Sequence, residues 1–147
     1  MNRTNTRLLV VDDSISMRHI ICDLLHELGF PAVDEAGDGV AALELFRRTP
    51  YDVVITDWYM PRCDGIDLLR AIRHEPERAE TPVLVLTGHV TTARVVEAIE
   101  AGANGFIAKP FVVHPEIAMS AALAVCAAHD QGRLEVFEPR LWASAWQ

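Results

Sequence analysis

The sequence predicts an α/β protein built as a (βα)5 doubly wound parallel five-stranded sheet, and three observations predict it. Apolar runs about five residues long, the length of an ordinary strand, alternate with segments whose apolar residues recur at helical spacing. Glycines and prolines punctuate the boundaries, at Gly29, Gly39, Pro50, Gly65, Pro82 and Gly102. Half of the 147 residues are apolar, enough for one real core.

Taken in order, the first strand is Arg7 to Val11, a short apolar run that ends at two acids. Asp13 and Ser14 suit the cap of a first helix from Ser14 to Leu28, with Ile20, Leu24 and Leu28 at helical spacing and Gly29 behind it. A second strand over Ala32 to Glu35 precedes a helix from Gly39 to Arg48, whose face carries Leu43 and Phe46 and which Pro50 follows. The third strand, Asp52 to Thr56, runs into Asp57 and is broken by Pro61 and Gly65 before a helix from Ile66 to Arg73. Pro82 opens the fourth strand, Val83 to Leu86, and Gly102 closes the helix Thr92 to Ala101. The fifth strand is Gly105 to Ala108 and the fifth helix His114 to Ala128. One domain over residues 1–132 is therefore expected, with an apolar tail over 133–147.

Composition excludes several classes of function. The net charge of -8, from 21 acidic and 13 basic residues without a long single-sign run, argues against a nucleic-acid partner. No run of about 18 apolar residues exists and the N-terminal apolar run is too short for a signal peptide core, so neither membrane insertion nor export is expected, and the chain is placed in the cytoplasm. Three widely spaced cysteines, Cys22, Cys63 and Cys126, form neither a disulfide pattern nor a zinc motif.

In a doubly wound sheet, ligands collect beyond the carboxyl ends of the strands. The residues there are Asp12 and Asp13 after the first strand, Asp57 after the third, Thr87 after the fourth and Lys109 after the fifth. Each has an ordinary reading alone: Asp13 as part of a helix cap, Asp57 as a turn aspartate, Thr87 as a loop start, Lys109 as a solvated cation. Their coincidence at one edge is what those readings explain poorly. Three clustered carboxylates repel one another unless a hard cation neutralises them, and oxygen-only ligation suits Mg²⁺. A lysine ammonium and a threonine hydroxyl opposite would clamp the oxygens of a phosphoryl group. An aspartate can then act as nucleophile and form an acyl phosphate.

The motifs VVDDS at 10–14, ITDWYMPRCDG at 55–65, VLTG at 85–88 and AKPF at 108–111 resemble, in order and spacing, the receiver domain of two-component response regulators, most closely the single-domain chemotaxis type. That resemblance, over about residues 5–130, implies the flavodoxin-like strand order 2-1-3-4-5. It implies Asp57 as phosphoacceptor, Asp13, Asp57 and the carbonyl of Tyr59 as Mg²⁺ ligands, and Asp12 as the acid that holds the metal through water. It further implies Lys109 on the phosphoryl group with a cis bond to Pro110, and a switch in which Thr87 moves toward the phosphoryl group and Phe106 rotates inward. A histidine kinase or phosphotransfer protein would supply the phosphoryl group. A protein target would read the face of helix four, strand five and helix five. No enzymatic turnover is implied beyond self-phosphorylation from small donors and autodephosphorylation.

The chain departs from the familiar pattern at Tyr59 and His89, which flank the path of the hydrolytic water and so bear on phosphoryl lifetime, and at Phe106, which lacks the hydroxyl common at the switch aromatic. His89 is expected as an exposed loop side chain and Trp58 as a partly exposed aromatic at the rim. A competing reading is a metal-dependent phosphohydrolase with an aspartate nucleophile. Enzymes of the haloacid dehalogenase type carry a second aspartate two residues beyond the first, where this chain has Tyr59. The uncharged run IAMSAALAVCAA at 117–128 is apolar all round, which predicts that the tail, or a second copy in a homodimer, covers it.

Overall fold

The computed structural model describes residues 3–88, 91–108 and 135–137. Along the chain these form β1 (Arg7–Val11), α1 (Ile15–Glu27), β2 (Ala32–Ala36), α2 (Gly39–Arg48), β3 (Val53–Asp57), α3 (Gly65–Arg73), β4 (Val83–Thr87), α4 (Thr92–Ala101), β5 (Gly105–Ala108) and β6 (Glu135–Phe137). All strand pairs are parallel and the sheet order is β2-β1-β3-β4-β5-β6, which contains the expected 2-1-3-4-5. The expected fifth helix, Lys109, Pro110 and His89 lie outside the described residues.

Side chains alternate across an extended chain, and here both faces are covered. Leu9, Val11, Val54, Val83, Val85 and Phe106 share a core with Ala42 and Phe46 of α2, Ile66, Leu69 and Ile72 of α3 and Ala98 of α4. Leu8, Val10, Val53, Ile55, Leu84, Leu86 and Ile107 pack with Ile21, Cys22 and Leu25 of α1. Burial on both faces explains why the central strands read as continuous apolar runs. Each such Val, Leu or Ile contributes roughly 1.5–3 kcal/mol.

Three details differ from the sequence expectation. The buried face of α1 is Ile21, Cys22 and Leu25, whereas Ile20 is exposed. Several helical registers fit an α1 sequence apolar on more than one side, and the sheet selected another. Asp57 and Thr87 are the last residues of their strands rather than the first of their loops, because the ladder pairs Asp57 with Leu86 and Thr87 with Ala108. Residues 135–137, assigned to the tail, add a sixth strand with Phe106 opposite Val136.

The helix ends follow local chemistry. Ser14, Asp38, Asp64 and Thr91 are N-caps whose side chains accept the N–H groups of Met17, Ala41, Asp67 and Arg94. Gly102 closes α4 with φ 96°, a conformation that favours glycine. Its carbonyl accepts Arg73 Nε at 3.1 Å and Nη2 at 2.7 Å. The same guanidinium donates to the Ala79 carbonyl at 2.8 Å, the Thr81 carbonyl at 2.6 Å and Asn104 Oδ1 at 2.8 Å. One side chain thus ties α3 to the entry of β4 and the exit of α4. Replacing Arg73 with Ala strands these acceptors and is expected to cost on the order of 3 kcal/mol in urea unfolding, with Arg73→Lys recovering less than half. A loss for Arg73→Ala below about 1 kcal/mol, typical of an ordinary surface change, rejects this role.

Candidate functional site

Sheet register builds the site. β1 and β3 pair with Val11 opposite Thr56, so Asp12 and Asp57, the next residue of each, emerge side by side at the carboxyl edge. Asp12, Asp13 and Asp57 each bring a carboxylate oxygen to within 4.8 Å of the others. Asp12 is buried, Asp57 half-buried and Asp13 exposed. This gradient leads from the sheet interior to solvent.

Local hydrogen bonds fix each acid differently. The Asp12 amide donates to the Ala36 carbonyl of β2 at 3.2 Å, and its carboxylate accepts the Ser14 N–H at 2.9 Å. Arg18 Nη1 donates to the Asp12 carbonyl at 2.7 Å while Arg18 Nε pairs with Glu35 at 3.3 Å, so a cation braces the backbone of the site from α1. Ser14 takes the capping of α1, and Asp13 is left directed to the cluster rather than spent as a cap. Asp57 Oδ1 accepts the N–H of Trp58 at 2.9 Å. The donor set is oxygen only, and one member is buried at 1% exposure, which is the chemistry a hard divalent cation fits. Thr87 is buried at the end of β4, beside the strand that carries Asp57.

Three aromatic rings and Arg94 form a contact chain that starts at Trp58, the residue after Asp57. Trp58 is buried at 4% exposure, not at the rim as expected from sequence, because its indole packs edge-on against Phe106 with centroids 5.9 Å apart and planes at 75°. Phe106 is fully buried. It carries no hydroxyl that burial would leave unsatisfied. Arg94 of α4 lies 4.7 Å from the centroid of Tyr59 and 5.5 Å from that of Trp58. Such contacts contribute about 0.5–2 kcal/mol each, more as water is excluded. Sequence reasoning missed Arg94 and Arg18, since neither lies in a motif and both act across elements.

Both thiols among the described residues, Cys22 and Cys63, are held toward the neutral form. Burial, with Glu35 and Asp23 adding to it, pushes Cys22 up to about 11, so it stays neutral at physiological pH. Cys63 is raised as well, by burial and then by Asp67, Asp64 and Asp38.

Gly65 is the least replaceable residue near the acids. Its amide donates to the Trp58 carbonyl at 2.8 Å, and a Cβ at this position would lie 2.1 Å from the Asp57 carbonyl oxygen. Gly65→Ala is expected to lose roughly 1–3 kcal/mol of stability and to weaken divalent-cation binding, because the strand end carrying Asp57 must move. Unfolding together with a Mg²⁺ titration checks both, and wild-type values in the two measurements reject this constraint.

The comparisons with known proteins agree with this geometry. Residues 8–120 match the family described as response regulator receiver domain. The chain is 45% identical over 107 residues to chemotaxis protein CheY-3 of Vibrio cholerae, covering 73% of this chain and 82% of that protein. It is 44% identical over 105 residues to chemotaxis protein CheY of Pseudomonas aeruginosa, covering 71% and 85%. The solved structure of the chemotaxis response regulator CheY4 of Vibrio cholerae superposes with a TM-score of 0.75 at 33% identity, covering 83% of this chain and 99% of that one. A parallel sheet in the order 2-1-3-4-5, three carboxylates at its switch point and these matches together establish that the chain belongs to the response regulator receiver domain family, in its chemotaxis-type form.

Proposed function

We propose that this receiver domain is a phosphorylation-activated switch in a two-component relay, with Asp57 as phosphoacceptor. The convergence of Asp12, Asp13 and Asp57 within 4.8 Å carries the reading. Receiver domains of this family use Mg²⁺ at such an acidic pocket and work with histidine kinases and downstream targets. In this chain Asp13, Asp57 and the Tyr59 carbonyl would hold the ion, with Asp12 acting through water. Bound there, Mg²⁺ supplies positive charge that offsets the mutual repulsion of the acids and the charge of a phosphoryl group.

The transfer balances simply. A carboxylate oxygen of Asp57 attacks the phosphorus of a phosphohistidine or a small acyl phosphate; an O–P bond forms, the donor's N–P or O–P bond breaks, and a departing imidazole takes up a proton. Lys109 and Thr87 bind the phosphoryl oxygens in the product, and these contacts favour the active conformation over the resting one. The output surface is then α4, β5 and the segment 114–128. The chain acts in the cytoplasm as a receiver unit over 1–132 with a tail over 133–147, of which residues 135–137 extend its sheet, and it is able to pair with a second copy. No helix among the described residues is long and apolar enough to cross a membrane. Tyr59 and His89 flank the path of the hydrolytic water, and the Tyr59 ring, nearly half exposed on the loop after β3, slows hydrolysis by occupying that approach.

Asp57→Asn is expected to abolish labelling by acetyl phosphate and Mg²⁺ with the fold retained, and to weaken Mg²⁺ binding as a charged ligand is lost. Intact-mass measurement decides it: labelling at the wild-type rate sinks the assignment, and continuous release of phosphate from small esters favours a hydrolase instead. For lifetime, Tyr59→Asn should speed loss of the phosphoryl group. An unchanged or longer lifetime removes the steric explanation.

A further inference from the structure

Arg94 stands where helix capping would favour an acid. Thr91 caps α4, and its hydroxyl accepts the Arg94 N–H at 3.2 Å. Three residues beyond such a cap, a glutamate or glutamine commonly reaches back to the cap's own amide. A guanidinium in this first turn gains nothing from the helix dipole, which is positive there. Among the described residues no carboxylate forms an ion pair with it. Its partners are the faces of Tyr59 and Trp58, at 4.7 Å and 5.5 Å. Trp58 in turn contacts Phe106 of β5. A single cation thus joins the first turn of α4 to the loop after β3 and, through one indole, to β5.

We propose that Arg94 is a positioning residue for the phosphoryl chemistry: stacked on Tyr59, it fixes that ring beside Asp57 and so couples the placement of α4 to the access of water. The inference rests on Asp57 as phosphoacceptor and on Tyr59 as its shield. Tyr59 has 48% of its surface exposed, and the other ring contact described for it is Trp58, tilted at 33° with centroids 6.3 Å apart. Without the arginine the ring has one fewer face holding it in place. A target that displaces the first turn of α4 therefore shortens the phosphoryl lifetime, and a target that holds it in place prolongs that lifetime.

The test is the decay of phosphorylated Asp57 in the full chain after the small donor is removed, followed by intact mass. It compares wild type with Arg94→Ala, Arg94→Lys, Tyr59→Asn and the Arg94→Ala/Tyr59→Asn double variant. Arg94→Ala is expected to decay roughly three- to tenfold faster, the factor that a cation stacked on an aromatic face supplies. Arg94→Lys should stay near wild type because it keeps a cation over the ring. The double variant should decay no faster than Tyr59→Asn alone, since both changes remove the same shield. An upfield-shifted Arg94 Nε–H resonance that moves to its ordinary position in Tyr59→Asn would report the stack directly. Wild-type decay in Arg94→Ala alongside fast decay in Tyr59→Asn overturns the role of Arg94 while the shield stands; multiplied rates in the double variant overturn the coupling. Wild-type decay in Tyr59→Asn overturns the shield itself and the inference with it, and failure of the wild type to accept a phosphoryl group overturns both at their common base.

Discussion

Repulsion among Asp12, Asp13 and Asp57 is the constraint around which the carboxyl edge of the sheet is arranged. Nothing in the intrinsic preferences of an aspartate brings three of them within 4.8 Å. The register of β1 against β3 does so, and the energy that holds the register comes from apolar side chains buried on both faces of the strands. The amide groups of Ser14 and Trp58 then aim their N–H bonds at two of the carboxylates, and the missing Cβ of Gly65 leaves the Asp57 strand end where it is. A large, uniform hydrophobic effect supports a small, costly and specific arrangement of charge.

The same division of labour appears beside the acids. Phe106 and Trp58 are part of the core by burial, yet they also form one end of a ring-and-cation chain that reaches the surface at Tyr59 and Arg94. Packed interiors rearrange between discrete states rather than deform smoothly, and rings in edge-to-face contact are part of such packing. Burial of a hydroxyl-free ring at 106 carries no unsatisfied polar atom, and this makes the inward position of Phe106 compatible with a resting chain. The aromatic position that a family resemblance marks as a reporter is here integral to the core.

Much of this was legible in sequence because strands buried on both faces leave unbroken apolar runs, as RLLVV and VLVLT do, and because glycines and prolines mark the turns between them. The acids were legible because parallel strands end together, so residues far apart in the chain share one edge. What escaped was whatever depends on tertiary contact. Ile20 and Ile21 are indistinguishable in composition, and only the sheet decides which is buried. Trp58 follows a buried strand and faces a loop, and its burial depends on Phe106 and Arg94, distant in sequence. Three residues such as Glu135 to Phe137 are too few to display a period, so no pattern announces that they form a strand.

That last strand has a consequence for how the molecule behaves in a crowd. A sheet that stopped at β5 would present the backbone of Gly105, Phe106 and Ile107 as open hydrogen-bonding positions, the kind of template on which foreign strands assemble. With β6 in parallel register the outermost position among the described residues passes to a three-residue strand that begins with a glutamate and is too short to recruit a long partner. The chain thus carries its own edge guard, and the strand bearing Phe106 is covered rather than left open to aggregation.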